Sequence, residues 1–294
     1  MKTPVEQLIE QASGLLERFE NLLTAEVLEP DWEHSIAFRW RRIHTRDPGH
    51  LEAVPHTHNI QLSELQGIEV QKRQIVQNTA QFLSGLPANN VLLWGARGTG
   101  KSSLIKALLN AFADQGLRLI EVDRHELLNL PDIVALVSQR PERFILFCDD
   151  LSFEADDPSY KALKVVLDGS VSTTPENILV YATSNRRHLL PEYMEENQHA
   201  RRVKGEIHPS EAAEEKIALS DRFGLWLSFY PFDHKSYITI VKAWLNHYGV
   251  APELREQATE AALQWALLRG SRSGRTAWQF ARDFAGRHGL NEAS

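Results

Sequence analysis

One short stretch constrains this chain more than any other. From Asn89 it reads NNVLLW, a compact apolar run, and from Trp94 it reads WGARGTGKSSL. The next residues, SSLIKALLNAFADQG, carry apolar side chains at helical spacing. Three glycines, a lysine and two serines therefore sit where a buried strand turns into a helix. Gly95, Gly98 and Gly100 lack side chains that would block an anion from backbone N–H groups, and they permit positive φ. The helix that follows aims its unpaired N–H groups and the positive end of its dipole at the same place. Gly95-x-x-x-x-Gly100-Lys101-Ser102 is the complete P-loop pattern. It predicts a phosphate cradle made of Gly95, Ala96, Arg97, Gly98, Thr99 and Gly100. Lys101 neutralises the outer phosphates, Ser102 binds magnesium, and Ser103 reaches the innermost phosphate.

The surrounding pattern predicts the sheet that carries this loop. VLLW, LRLIEVD, RFILFCDD, ILVYATSN and FGLWLSFY are apolar runs separated by helical segments. Near-continuous apolar strands alternating with helices imply a parallel sheet covered on both faces. The expected architecture is an α/β P-loop NTPase, an αβα sandwich around a five-stranded parallel sheet. Beyond Pro231 the periodicity is helical only, with glycine stops, so a small all-α lid domain follows. Three regions result: an N-terminal helix and irregular arm over 1–61, the nucleotide-binding domain over 62–230, and the helical lid over 231–294. The first 29 residues carry a helical pattern. The following stretch holds three prolines and two tryptophans without a clean period and reads as an arm.

Two further strand ends carry candidate chemistry. FILFCDDL ends an apolar strand in two carboxylates. Asp149 is the candidate to hold the metal, and Asp150 the candidate to polarise a water. ILVYATSN ends in Asn185, which on its residue type either reaches the same edge of the sheet or caps the next helix.

Taken together these pieces resemble the AAA+ ATPases. ELQGIEVQKRQI resembles the helix start that packs on adenine there, which implies Ile68 as a nucleotide contact. ATSN resembles the sensor-1 strand and implies Asn185 as a catalytic group. LSDRFG resembles the arginine-finger box and implies Arg222, and with it a homo-oligomer in which one chain completes a neighbour's site. GSRSGRTAWQF resembles the start of the sensor-2 helix and implies Arg275, with Arg272 as the competitor. The run from LQGIE to FCDDLSFE is similar to a bacterial family of ATP-binding AAA+ proteins known only as a domain of unknown function. In one respect the chain departs from the superfamily: Asp-Asp stands where Asp-Glu is usual. Asp150 is one methylene shorter, so either the backbone compensates, or hydrolysis is slow, or Glu154 acts instead.

The implied function is an ATPase that binds ATP and magnesium between core and lid and releases ADP and phosphate. Hydrolysis then drives a conformational change on a macromolecular partner. A nucleotide-gated binding module with slow or no hydrolysis is the alternative. A small-molecule kinase is a third reading, disfavoured because no motif announces an acceptor pocket. The formal net charge of −7 favours a protein client over nucleic acid, without excluding the latter. Two basic stretches, RWRRIHTR and HARRVKG, are the local exceptions. The linker histidines His56 and His58 read as solvated rather than metal-bound. A single cysteine, Cys148, no signal-like N-terminus and no apolar stretch of membrane-spanning length predict a cytoplasmic protein.

Overall fold

The computed structural model describes residues 30–42, 49–153, 157–168, 175–186, 189, 201–203, 206–208 and 219–292. The expected N-terminal helix over 1–29 and Glu154 lie outside the described residues, as does most of 192–217.

The chain enters the fold with β1 (Ala37–Arg41) and β2 (His50–Ala53). α1 (Glu69–Leu83) leads to β3 (Val91–Gly95) and α2 (Lys101–Phe112). β4 (Leu117–Glu121), α3 (Leu130–Val137), β5 (Arg143–Cys148), α4 (Ser159–Asp168) and β6 (Ile178–Ser184) follow. β7 (Arg201–Val203) and β8 (Glu206–His208) pair as a separate antiparallel ribbon. β9 (Leu225–Phe229) completes the main sheet. Three helices then close the chain: α5 (His234–His247), α6 (Pro252–Leu268) and α7 (Gly274–Glu292).

The main sheet has the order β2-β1-β4-β5-β6-β3-β9. The five strands anticipated from the apolar runs are its parallel body, but among the described residues the count is seven. β1 joins β4 in parallel, and β2 closes the edge antiparallel to β1. The expectation of five strands behind an irregular arm is thus corrected, because residues before Leu62 share the core's own sheet. The signal lay in AFRWR. Phe38 and Trp40 point to the buried face while Arg39 and Arg41 point outward, a two-residue alternation obscured by nearby prolines. The arm is further held by Trp32, which packs against Phe38 and Phe144 beneath the Arg140 guanidinium. Arg39 donates to Glu121 at 3.0 Å, and Arg41 donates to Glu52 at 3.2 Å. Two cations of the first basic stretch are therefore answered within the chain.

β3, β5 and β6 are buried on both faces, which is why their sequences run apolar without alternation. These three closing helices do not stand apart from the sheet and its covering helices. One apolar cluster runs from Leu104 and Ile105 on α2 through Ile68 to Phe232, Ile240 and Phe280. Burying side chains of this size contributes about 1.5–3 kcal/mol each. Asp233 starts α5 by accepting a bond from the Ser236 N–H at 2.7 Å.

Candidate active site

The strand order decides which side chains meet. β6 lies between β3 and β5, with Trp94 opposite Ser184 and Cys148 opposite Ala182. The residues just beyond these strands therefore emerge side by side: the glycine loop, Asp149 with Asp150, and Asn185.

Gly95, Gly98 and Gly100 all have positive φ, and Gly100 is the left-handed residue on which α2 starts. At Gly95 and Gly98, though not at Gly100, the space a side chain would fill is taken by protein. A Cβ on Gly95 would lie 2.0 Å from the Phe229 carbonyl oxygen of β9, so that glycine clears room for a strand. A Cβ on Gly98 would lie 2.9 Å from Ser273 Oγ, so that glycine clears room for the lid. The Arg275 N–H donates to the Gly98 carbonyl at 3.2 Å, which ties the first turn of α7 to the loop.

Lys101 is 7% exposed. Its Nζ donates to the Gly95 and Ala96 carbonyls, each at 2.8 Å, and to Asn185 Oδ1 at 3.3 Å. Burial holds its pKa below the usual lysine range, against the opposing pull of Asp150 and Asp149. Ser102 Oγ donates to Asp149 Oδ1 at 2.6 Å, and Thr183 Oγ1 donates to the same oxygen at 2.5 Å. Asn185 Nδ2 donates to Asp150 Oδ1. Asp150 has φ 51°, the one positive φ outside glycine among the described residues.

These groups rim a cleft of about 790 Å³ between the sheet edge and the lid. Arg97, Ser103, Ile68 and Arg275 also line it. Ile60, Phe232, Ile240, Trp244 and Trp278 line it as well, together with the polar His58, Glu64 and Gln66. Two further arginines lie off this lining. Arg222 does not border this cleft; its Nε donates to Asp168 Oδ2 at 2.5 Å. Arg272 is likewise away from the lining, while Arg275 is on it. His58, exposed as the linker reading expects, also borders the cleft. Its carbonyl and that of Ile60 accept from Asn110 Nδ2 at 2.7 and 2.8 Å, so α2 pins the arm there. The aromatic wall from the lid was also missed, since Trp244 and Trp278 are unremarkable helix residues in sequence.

The donor set fits a nucleotide and its cation. Backbone N–H groups at a helix start and a lysine suit phosphate, and the neighbouring Ser102 and Asp149 oxygens suit a hard cation such as magnesium. Among the described residues no cluster of three His, Cys, Asp or Glu side chains suggests another metal. No described helix is long and apolar enough to cross a membrane.

The glycine loop opening onto α2, with β6 set between the loop strand β3 and the carboxylate strand β5, has the fold of a P-loop core. The chain belongs to the family described as Protein of unknown function (DUF815), whose model matches residues 33–288. No curated protein matches it. Among solved structures it is similar to RuvB, the Holliday junction branch migration motor of Thermotoga maritima, at 17% identity and TM-score 0.42, covering 76% of this chain and 70% of that one. It is similar to a DNA replication initiation factor at 16% identity and TM-score 0.46, covering 80% and 64%. It is also similar to the replication initiator DnaA bound to AMPPCP and single-stranded DNA, at 15% identity and TM-score 0.45, covering 72% and 60%. Likeness this remote carries no function from one chain to another.

Proposed function

We propose that the protein is an ATPase that binds ATP and magnesium in the cleft, hydrolyses the outer phosphate bond, and passes the resulting lid movement to a macromolecular partner. The observation that carries this reading is the meeting of Lys101, Ser102, Asp149, Asp150 and Asn185 on one rim of the cleft. The division into a core over 62–230 and a lid over 231–294 belongs to the same proposal, with the arm as part of the core's sheet.

Each residue has a task that its chemistry suits. The loop N–H groups and Lys101 bind the phosphates, and Lys101 leaves the Gly95 and Ala96 carbonyls to do so. Ser102 and Asp149 are the residues that would hold magnesium, which when bound neutralises charge on the phosphate oxygens. Asp150 accepts a proton from the attacking water, and Asn185 orients the Asp150 carboxylate. Arg275 sits where the lid meets the loop, so phosphate contacts there are felt by α7. Arg222, outside its own cleft, serves a neighbouring chain's site in a homo-oligomer. The net charge of −7 favours a protein client.

The test is phosphate release from ATP and magnesium across a range of protein concentrations, with Lys101→Ala as control. Release per chain that climbs with concentration, and is lost in the control and in Arg222→Ala, supports an oligomeric ATPase. Release that is independent of concentration in a proven monomer removes the role of Arg222. A second reading, the nucleotide-gated module, is favoured by one observation: Asp150 and Asn185 already satisfy each other. Tight ATP binding with no release at any concentration would select it.

A further inference from the structure

We propose that Thr183 is the positioning residue of this site. It holds the Asp149–Asp150 turn so that a short aspartate reaches the place where water is polarised. The proposal rests on the nucleotide reading given above and explains how the chain works with Asp-Asp.

Three consecutive residues are tied to this one threonine across the sheet. Its Oγ1 donates to Asp149 Oδ1 at 2.5 Å and accepts from the Asp150 N–H at 2.9 Å. Its carbonyl accepts from the Leu151 N–H at 2.6 Å. A hydroxyl carries one proton, and here that proton is committed to Asp149, so the lone pair is what faces Asp150. Thr183 is 2% exposed, so its side chain is fixed within the fold.

The clamp has two consequences. Asp149 Oδ1 receives Ser102 and Thr183 together, which fixes the carboxylate beside the serine that would share its cation. Such outer partners orient metal-holding groups. Asp150, meanwhile, is held at φ 51°. A left-handed residue other than glycine is strained, least for Asp and Asn. The N–H bond to Thr183 and the carboxylate bond from Asn185 both oppose that cost. The backbone thus bends at the strand end and carries the shorter side chain to Asn185. The missing methylene is compensated by main-chain geometry, and the residue enforcing that geometry is on the neighbouring strand.

Thr183→Val keeps the shape and removes the hydroxyl. Thr183→Ser and Thr183→Ala both lose the γ-methyl, so they share any packing loss, and only serine keeps the hydroxyl. The readouts are the thermal midpoint, affinity for a fluorescent ATP analogue without metal, the magnesium midpoint of that binding, and phosphate release. In Val and Ala, metal-free affinity stays at the wild-type level. The magnesium midpoint rises and turnover falls, each by roughly 10- to 100-fold. Serine retains both. If Val does not fold, the serine and alanine pair alone decides. Wild-type magnesium midpoint and turnover in Ala overturn the proposal. Equal losses in Ser and Ala assign the effect to packing and overturn it too. A wild-type protein that binds magnesium-nucleotide without releasing phosphate breaks the hydrolysis reading only, and the magnesium midpoints still test Thr183. A wild-type protein that binds no nucleotide overturns both.

Discussion

Two groups of residues line the cleft, and they are built on different rules. At the sheet edge, Lys101, Ser102, Asp149, Asp150, Thr183 and Asn185 are linked to one another by directional bonds of defined length. A second group, Ile60, Ile68, Phe232, Ile240, Trp244 and Trp278, comes from widely separated segments and offers mainly apolar surface. Asn110 holds backbone in place beside Ile60. The first group specifies geometry, because each hydrogen bond has an angle as well as a distance. The second specifies volume, and apolar packing tolerates substitutions that conserve it. On the proposed function, chemistry falls to the first group and selection of the nucleotide's bulk to the second.

This contrast can be broken most decisively at Asp150. Asp150→Asn should lower turnover by about 10²-fold or more while leaving ATP affinity unchanged, measured by single-turnover phosphate release and direct binding. Full turnover in that variant, with loss in Glu154→Gln, moves the water-polarising role to Glu154. Next in size, Lys101→Ala should weaken ATP and inorganic tripolyphosphate alike, by about 1.5–3 kcal/mol in calorimetry. A loss confined to ATP would mean that the lysine is not on the phosphates.

Gly98 is where the loop meets the turn before α7. Gly98→Ala places a methyl against Ser273 Oγ at a positive φ. It should cost roughly 1–2 kcal/mol in denaturant unfolding and loosen the lid's hold on the loop. Trp244→Ala should act on ATP alone, by about 1 kcal/mol, with tripolyphosphate binding untouched. Equal losses for both ligands would erase the distinction between the two groups. The smallest effect is on pH. Because burial depresses the Lys101 pKa, its charge is present below that pKa and lost as pH rises through it. Nucleotide affinity should therefore fall with rising pH before ordinary lysines titrate, and Lys101→Arg should abolish the fall.

Legibility in the sequence followed the same division. The phosphate loop, the carboxylate strand and the lid's three helices were readable because each is a contiguous pattern: a motif at a strand-to-helix turn, an apolar run ending in charge, a helical period with stops. Asn185 was readable only through resemblance, since an asparagine after a strand is equally a cap. Trp244, Trp278 and His58 were not readable. Nothing local marks a helix tryptophan or a linker histidine that tertiary closure brings to a cleft.

The sequence by itself determined the parallel core, the loop that opens onto α2 and the carboxylates that follow β5. These depend on periodicity and on residue types a few positions apart. Only the tertiary structure decided that the arm supplies two strands of the sheet, and that Gly95 and Gly98 make room for β9 and the lid. It alone decided that Thr183 governs the Asp149–Asp150 turn. The physical reason is common to all three. Each depends on an approach between segments far apart in the chain, set by strand order and side-chain volume.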